Sequence, residues 1–466
     1  MARGADRGLI LLSRGTAGGD LEGMRSTPTP TSETTFDFLF AALPGGGHAD
    51  PLLSVVRGLT ARGHGVRVLA GETLREQVDS AGAEWVPWRR APLADSSFDP
   101  VNHSYSRRPP KSPADELDAV RDDLICGPAA DFAADTRAEL RRRPADVVAS
   151  DHMLPGVLIG AEAEGVATAA VAMTFLFIPQ WGVPAMGLGM TPPRSALARA
   201  RARILRRVVE RKWGQGLPAV NAARTGNGLA PISDPIDLFA RSDRVLVLAS
   251  RALEFPEFAP PQHVKLVGPR LDDPEWADTW TPPPGDERLV LVALSSTWMG
   301  QTPVLERIAA ALGRLPVRGV ITTGPAVDPL CVRAPDKVTV VRSAPHGQVL
   351  EHASAIVTHG GHGTVAKALA AGVPLVCAPM GRDQSDVAAR VVRAGAGVRM
   401  DASAEPAKFA ESIGQVLGDP AYARAAGRIA ATMADDRRED RAVAELEALA
   451  GQSRRGGVTP LSAAAA

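Results

Sequence analysis

The sequence predicts an α/β protein built from two doubly wound parallel sheets. From residue 36 onward, short apolar strands alternate with amphipathic helices through short connections, a pattern typical of strand–helix–strand units. The alternation starts again after LDDPEWADTWTPPPGDER, residues 271–288, which is rich in proline and acids. We therefore expect two units, 36–270 and 289–425, to face each other across a cleft, with 271–288 as the linker.

The first unit contains five apolar stretches that are predicted to be strands: FDFLFAAL, VRVLAG, ADVVASD, VATAAVAM and RVLVLAS. The helix PLLSVVRGLTAR follows the first of them and carries its apolar residues on one face. Residues 89–115 and 174–193 are rich in Pro, Ser, Met and aromatic residues and are predicted to be irregular. Loops of this length in an α/β domain usually line a binding site.

The second unit shows the same alternation of strands and helices, with five predicted strands: LVLVALSS, RGVITTG, KVTVVRSA, AIVTHGGHGT and VPLVCAP. Its predicted helices are TPVLERIAAALGRL, HGQVLEHA, VAKALAAG and QSDVAARVVRAG. A helix over 426–450 is expected to return to the first unit. Residues 1–35 and 451–466 lack apolar periodicity and are predicted to be disordered, with Met24 as an alternative start.

Composition excludes several classes of function. Lys plus Arg equals Asp plus Glu at 52 each, so no overall field attracts nucleic acid. The three cysteines have no CxxC spacing, which argues against a disulfide framework and a zinc site. No apolar run approaches the roughly 18 residues of a membrane span, so no stable membrane insertion is expected. A cytoplasmic protein, monomeric or homodimeric, is the simplest expectation.

The loop THGGHGTVAKALAAG, residues 358–372, is a candidate anion site. Its glycines lie between a strand and a helix, so backbone N–H groups and the positive helix end face the cleft. His359 and Thr364 add hydrogen-bonding groups, and no acid in the loop or first turn would repel a diphosphate. A tight glycine turn without a ligand is the alternative.

A second glycine loop, GGGHADP, carries an acid and is therefore not suited to an anion. The dinucleotide fingerprint would require glycine at position 50, where Asp50 stands. Asp50 followed by Pro51 is typical of a helix N-cap and a first-turn proline, which puts a carboxylate where a phosphate would bind. His48 lies at the end of the first strand, where open α/β sheets bind ligands.

His48 has a possible partner in Asp151, which ends the strand ADVVASD. Strand ends of one parallel sheet open onto the same crevice, and a carboxylate that accepts from Nδ1–H would leave Nε2 as a base. A structural histidine and a helix N-cap aspartate are the alternatives for the two residues. His152 competes for the same carboxylate.

These residues resemble the inverting nucleotide-sugar glycosyltransferases of family 1, which have the GT-B fold, and among them the bacterial enzymes that glycosylate natural products and antibiotics. The resemblance covers about residues 36–420. It rests on GHADP, on Asp151, and on the order and spacing of SAPHGQVL through THGGHGTVAKALAAGVPLVCAPMGRDQ. GHxxP alone would be weak evidence for this family, whereas the long stretch from SAPHGQVL to GRDQ is specific to it.

The resemblance implies a role for each matching residue. His48 would be the general base and Asp151 would stabilise its imidazolium, while Thr174 would reach the phosphates from the first unit. The donor nucleotide sugar would be bound by residues of the second unit: Ser295, Ser296, Thr297, Ser343, His346, His359, Gly361, Gly363, Thr364, Asp383 and Gln384. Asp383 and Gln384 would bind the sugar hydroxyls, although a helix cap is an alternative for Asp383.

Three departures from the family pattern bear on the donor. Ser343 stands where plant members have a base-stacking tryptophan, and His346 replaces their following glutamine. Lys367 occupies the place of a glutamate that holds the ribose, and a lysine cannot accept a hydrogen bond from a hydroxyl. The donor is therefore left open between a UDP-sugar and a dTDP-sugar. No DxD sequence is present, so no metal and no other cofactor are expected.

The acceptor is expected to be an apolar small molecule. Residues 173–190 supply apolar candidates for its site, namely Phe175, Phe177, Trp181, Met186 and Met190, although core packing is an equal alternative for each. The next segment, RSALARARARILRRVVERK, has eight basic residues and one acid; a solvated helix beside the acceptor is favoured over contact with a membrane surface.

The predicted function is transfer of a hexose or deoxyhexose to an acceptor hydroxyl with inversion. Two alternatives use the same fold: a sugar-nucleotide isomerase of the 2-epimerase kind, and a non-catalytic nucleotide-sugar-binding auxiliary protein. An isomerase would leave the long loops of the first unit without a role. A non-catalytic protein would not need both His48 and Asp151.

Overall fold

The first parallel sheet, formed after residue 36, has seven strands in the order β3-β2-β1-β4-β5-β6-β7 within the part of the chain that the structure describes. The structure is a computed structural model that describes residues 34–45, 47–94, 113–178, 181–234, 237, 241–273, 277–436 and 439–456. The strands are β1 (Asp37–Ala41), β2 (Gly65–Ala70), β3 (Glu84–Pro87), β4 (Val147–Asp151), β5 (Ala167–Ala172), β6 (Arg244–Val247) and β7 (Val264–Leu266).

Helices cover both faces of this sheet, as its continuous apolar strands require. The helices of this half are α1 (Ala49–Ala61), α2 (Arg75–Ser80), α3 (Pro113–Ala119), α4 (Ala129–Arg142), α5 (Pro155–Ala163), α6 (Ala196–Gly214) and α7 (Leu217–Gly226). A π-helical segment, Val120–Ile125, follows α3. Gly156 and Gly160 of α5 allow α4 close approach, since a Cβ at Gly156 would lie 2.3 Å from the carbonyl oxygen of Ala129.

The second sheet has six parallel strands among the described residues, in the order β10-β9-β8-β11-β12-β13. They are β8 (Arg288–Ala293), β9 (Val317–Thr322), β10 (Val338–Val341), β11 (Ala353–Thr358), β12 (Leu375–Cys377) and β13 (Gly397–Arg399). Its helices are α8 (Thr302–Gly313), α9 (His346–His352), α10 (His362–Ala370), α11 (Gln384–Arg393), α12 (Pro406–Gly418) and α13 (Pro420–Asp436). Two parallel-sheet α/β halves are what the sequence predicts.

Each sheet has a switch point where consecutive connections leave in opposite directions. In the first sheet β1 lies between β2 and β4, so the loops after β1 and β4 diverge and leave a crevice between them. In the second sheet β8 lies between β9 and β11 in the same way. Such crevices are the usual ligand sites of open α/β sheets.

The two halves share a hydrophobic core. One cluster of buried residues includes Val245 of the first sheet, Leu289 of the second, and Phe175 and Phe255 from loops of the first half. His362 of α10 also packs edge-on against Phe175, with ring centroids 5.1 Å apart. The two sheets are thus joined by packed side chains as well as by the linker.

The C-terminal region differs from the predicted single helix over 426–450. The structure has α13, which packs on α10, and then a separate helix, α14 (Arg441–Arg454). Asp440 caps α14 by accepting from the backbone N–H of Val443, and it also pairs with Arg270. Val443 packs into the core of the first sheet.

Residues 451–454, predicted to be part of a disordered tail, continue α14. The Arg454 guanidinium holds this end because it pairs with Asp146 at 2.6 Å and lies 4.8 Å from the ring centre of Phe36. The predicted extension over 1–33 and the tail from 457 lie outside the described residues. In the described part of the chain, no helix is both long and apolar enough to span a membrane.

Candidate active site

His48 lies at the carboxyl end of β1, where the chain turns into α1. Gly45 has a φ of 111°, a left-handed conformation that favours glycine, and its carbonyl oxygen accepts the backbone N–H of His48 at 2.9 Å. The helix begins at Ala49 with His48 in the N-cap position, so the expectation that Asp50 is the N-cap is wrong. Asp50 lies in the first turn instead and still puts a carboxylate at this helix end.

Asp151, the last residue of β4, accepts a hydrogen bond from His48. The distance from His48 Nδ1 to Asp151 Oδ2 is 2.8 Å, and the carboxylate is fully buried while 24% of the His48 side chain is exposed. The backbone N–H of Met153 donates to the other oxygen at 2.9 Å, and His152 Nδ1 lies 3.2 Å from that oxygen. The pair predicted from the ends of two strands is thus formed.

The electrostatics of the pair favour a charged carboxylate and a basic imidazole. Burial lowers the pKa of His48, but the charge and hydrogen bond of Asp151 outweigh burial and raise that pKa above 6.5. Burial opposes ionisation of Asp151 too, yet His48 and His152 hold the pKa of the carboxyl far below its usual range. With Nδ1 donating to Asp151, Nε2 is the atom free to take a proton.

A cleft between the two halves contains His48 on one wall and the loop after β11 on the other. Its empty volume is about 1650 Å³ and it opens to solvent. The donor-site residues predicted from the sequence line this cleft together: Ser295, Ser296, Thr297, Ser343, His346, His359, Gly361, Gly363, Thr364, Asp383 and Gln384. Lys367, the departure from the family pattern, lines it too. Thr174 reaches the cleft from the first half.

The loop after β11 presents an uncapped helix end to the cleft. Helix α10 has Gly361 at its N-cap, no side-chain cap and no acid in its first turn. A Cβ at Gly361 would lie 2.5 Å from His359 Nε2 and would displace that side chain, whereas Gly363 borders open space. Backbone N–H groups and the positive helix end therefore face the cleft, an arrangement suited to a diphosphate.

Three buried histidines of the second half are neutral at physiological pH. Burial lowers the pKa of His346, His359 and His362 to about 4. His346 Nε2 lies 3.0 Å from the hydroxyl of Thr322. His359 is therefore a hydrogen-bonding group in this site and does not supply the positive charge.

Arg382 supplies a positive charge that the sequence analysis missed. It directly precedes Asp383, has a left-handed φ of 54° and borders the cleft. Its Nη1 donates to the hydroxyl of Thr297 at 3.1 Å, and its charge lowers the pKa of His48, against the larger effect of Asp151. A non-glycine residue in this conformation carries strain, which is typical of functional sites.

Asp383 and Gln384 begin α11, but their side chains have different partners. Asp383 is the N-cap residue without a side-chain capping bond, and its Oδ2 accepts from Thr174 Oγ1 at 2.8 Å. Gln384 Oε1 accepts the backbone N–H of Met380 at 2.8 Å, so this side chain holds its own loop. The helix-cap alternative for Asp383 is thus not formed, because its carboxylate contacts the other half.

The linker contributes carboxylates to the donor side of the cleft. Lys367 Nζ donates to Asp273 Oδ1 at 2.7 Å, and the backbone N–H of Gly347 donates to the other oxygen at 2.9 Å. Ser343 donates to Asp278, whose backbone N–H in turn donates to the Ser343 hydroxyl at 3.1 Å. The lysine that departs from the family pattern is accordingly paired with an acid.

Comparison with known proteins identifies the family. Residues 306–449 match the family model described as the C-terminal domain of erythromycin biosynthesis protein CIII-like proteins. The chain is 30% identical over 372 residues to 4'-demethylrebeccamycin synthase of Lentzea aerocolonigenes, which covers 78% of this chain and 87% of that protein. The chain belongs to the family 1 antibiotic glycosyltransferases.

Two further similarities fit this glycosyltransferase. It is 27% identical over 433 residues to O-mycaminosyltylonolide 6-deoxyallosyltransferase of Streptomyces fradiae, covering 86% of this chain and 94% of the relative. The crystal structure of the glycotransferase of kitacinnamycin superposes with a TM-score of 0.71 at 25% identity, covering 89% of this chain and 99% of the other. The predicted GT-B fold is confirmed.

The aromatic residues predicted for the acceptor site of the glycosyltransferase do not line the cleft. Phe175 and Trp181 are 1% and 7% exposed, and both belong to the core shared by the two halves. Phe177 packs against the same core, and none of these three residues nor Met186 is among the residues that border the cleft. Phe175 and Trp181 are buried and Phe177 and Met186 are half-buried, and hydrogen bonds from Gly187 and Gly189 to Asp386 hold the loop that carries them to α11.

Several cleft residues of the glycosyltransferase were not predicted. Besides Arg382, these include Arg270, Asp272, Thr322, Gly324, Arg342 and Ala344. Thr322 and Gly324 end or follow β9, so the rule that strand ends line the crevice could have found them. Arg270 and Asp272 flank the start of the linker, where sequence pattern gives no indication of a binding role.

Proposed function

We propose that this glycosyltransferase moves a hexose or deoxyhexose from a UDP- or dTDP-sugar to a hydroxyl of an apolar natural product, with inversion and with His48 as general base. The observation that carries the proposal is the facing arrangement of the His48–Asp151 pair and the uncapped end of α10 across one cleft. One side suits an acceptor hydroxyl and the other a leaving diphosphate.

In the proposed reaction, His48 Nε2 takes the proton of the acceptor hydroxyl while its oxygen bonds to the anomeric carbon. The bond from that carbon to the diphosphate oxygen breaks, and its electron pair leaves with the diphosphate. Attack opposite the leaving group inverts the anomeric centre. Asp151 stabilises the imidazolium formed, and such general-base catalysis is worth roughly 10² to 10⁴-fold.

The leaving diphosphate gains negative charge, which the cleft is suited to stabilise. The N–H groups at Gly361 and Gly363 and the hydroxyl of Thr364 are its proposed hydrogen-bond donors. Arg382 adds a full positive charge from the loop before α11. His359 adds no charge to this site, because burial lowers its pKa to about 4 and leaves it neutral.

The names of the relatives narrow the choice of donor sugar and of acceptor. The name of the S. fradiae relative specifies transfer of a 6-deoxyallosyl group, which supports a deoxyhexose donor for this chain. The names of both reported relatives, a demethylrebeccamycin synthase and an O-mycaminosyltylonolide 6-deoxyallosyltransferase, support a natural-product acceptor. The isomerase and auxiliary-protein alternatives are not favoured, and the cytoplasmic location stays a prediction.

The test is a transfer assay with purified protein, UDP-glucose and a set of dTDP-hexoses and dTDP-deoxyhexoses against a panel of aromatic and polyketide aglycones. Mass spectrometry would detect a product heavier by one sugar, and NMR of the anomeric proton would report inversion. Retention of configuration, or epimerised donor without transfer, would contradict the proposal.

A negative charge at Gly363 is expected to weaken nucleotide binding. Gly363→Asp adds a carboxylate at the first turn of α10, where the diphosphate is proposed to lie. Because the carboxylate and the diphosphate would be in contact and both are negative, their repulsion should lower the affinity on the order of tenfold or more. The matched control is Gly363→Asn, which has the same shape without the charge; Thr364→Ala should weaken binding less. Isothermal titration with UDP and dTDP measures the affinity of each variant. Equal affinities for the Asp and Asn variants would exclude this loop as the diphosphate site.

Transfer is expected to continue in the presence of EDTA. The proposed charge stabilisation comes from Arg382 and the end of α10, and no divalent cation takes part in it. Initial rates measured with excess EDTA and with added Mg²⁺ or Mn²⁺ should agree. A rate that falls with EDTA and recovers with a metal would contradict this account of the leaving group.

A further inference from the structure

Helix α6 presents an apolar stripe to solvent. Leu197, Ile204 and Val208 are 81%, 63% and 57% exposed, and no residue of this helix is buried. Their spacing of seven and four residues puts them on one line along the helix, pointing away from the protein. Single exposed apolar residues are ordinary, but three aligned on one helix mark a contact surface.

Arginines border this stripe on both sides. Arg201 lies one turn from Leu197 and Ile204, Arg211 lies one turn from Val208, and Arg207 stands farther round the exposed face. Among the described residues, no carboxylate pairs with any of these three arginines, although two other cations of α6 are paired, Arg206 with Glu210 and Lys212 with Asp118. The outward face is therefore both apolar and strongly positive.

We propose that α6 binds an anionic lipid surface, lying in the headgroup region with its apolar stripe toward the acyl chains. A helix with an apolar stripe flanked by arginines binds such surfaces because burial of the stripe and attraction to anionic headgroups add together. The arginine side chains are long enough to keep their charges among the headgroups. Its many charges exclude a position across the membrane.

Other occupants of this face are less suited to it. A second copy of the chain would bring two sets of exposed arginines together, which like-charge repulsion disfavours. A nucleic acid would leave the apolar stripe without a partner. Binding at a lipid surface goes beyond the proposed transfer reaction and would bring the enzyme to the place where apolar acceptors accumulate.

Flotation of the full chain with vesicles tests the proposal. The chain is expected to float with phosphatidylcholine vesicles that contain phosphatidylglycerol, and only weakly with pure phosphatidylcholine. Replacing Arg201, Arg207 and Arg211 together by glutamine should lower the partition coefficient by about a hundredfold. Replacing Leu197, Ile204 and Val208 by glutamine should lower it by about tenfold or more.

Matched substitutions on other exposed surfaces serve as controls. Arg424→Gln with Arg428→Gln removes exposed charges from α13, and Leu330→Gln removes an apolar side chain that is 92% exposed. Both should float as the unchanged protein does, and circular dichroism should show that every variant is folded. Failure of the unchanged chain to bind anionic vesicles, or equal losses in variants and controls, would overturn the proposal. So would a dimer, seen by light scattering, that the apolar variant abolishes.

Discussion

Replacing His48 by alanine is expected to lower kcat by about 10² to 10⁴-fold, because the acceptor hydroxyl then loses its general base. The affinity for UDP or dTDP should change little, since the proposed nucleotide site lies across the cleft on α10 and the loop before α11. Single-turnover transfer measures the first quantity and isothermal titration the second. Full activity of His48→Ala would remove this residue from the mechanism.

The pH profile provides a second and independent readout of His48. Because Asp151 raises the pKa of His48 above 6.5, the neutral base is lost as the pH falls through that raised value, and the rate should fall with it. Asp151→Asn removes the charge that raises this pKa, so the acidic limb should move to lower pH. The plateau rate should fall as well, because an amide can donate to Nδ1 and leave Nε2 protonated.

His64 offers a control for both the transfer rate and the pH profile. It forms another histidine–carboxylate pair in the same half, with Nε2 2.9 Å from Glu447 Oε1, but it is not among the cleft residues. His64→Ala should therefore keep the transfer rate per folded molecule and the pH profile. A profile that shifts equally in this variant would mean that the change reports on stability and not on the base.

The fold and the catalytic pair were predictable from local pattern. Alternating strands and helices fix two parallel sheets, and residues at strand ends next to a switch point must share a crevice, which brought His48 and Asp151 together. The glycines before α10 likewise indicated an uncapped helix end. Each strand end and glycine loop is recognised from a few residues of the chain, and the rule for parallel sheets then brings His48 and Asp151 together although they are far apart in sequence.

What the sequence did not reveal depends on contacts between distant segments. Lys367 looked like an unpaired departure from the family pattern, but its partner, Asp273, is 94 residues away in the linker. Phe175 looked available to an acceptor, but its burial depends on α11 of the other half. Hydrophobicity alone does not distinguish a residue that lines a cleft from one that joins two domains.

Breaking the ion pair between Arg390 and Glu254 is expected to destabilise the protein by about 3–5 kcal/mol, the usual cost of leaving one buried charge without its partner. Arg390 of α11 donates to Glu254 Oε1 through Nε at 2.9 Å, and the two side chains are 1% and 0% exposed. Phe175 and Phe255 hold the guanidinium between them, with their ring centres 4.3 and 4.4 Å away. Three of these four residues are in loops of the first half, so Arg390 is a principal contact between the halves.

Urea unfolding of Glu254→Gln measures this cost, and the neighbouring pair supplies the control. Arg393, three residues farther along α11, pairs with Glu257 at 3.2 Å, but these side chains are 22% and 40% exposed. Arg393→Ala should therefore cost less than about 1 kcal/mol. Replacing both buried partners, as Glu254→Leu with Arg390→Met, should recover much of the loss because no unpaired charge remains.

Glu254→Gln is also expected to weaken binding of the donor. Asp383 at the start of α11 accepts from Thr174 across the cleft, and Asp386 accepts the backbone N–H groups of Gly187 and Gly189, so α11 is held to the first half along its length. Loosening it at Arg390 should raise the donor KM more than it lowers kcat, since His48 is on the other wall. If Glu254→Gln unfolds at the urea concentration of the unchanged protein, the ion pair does not stabilise the contact between the halves.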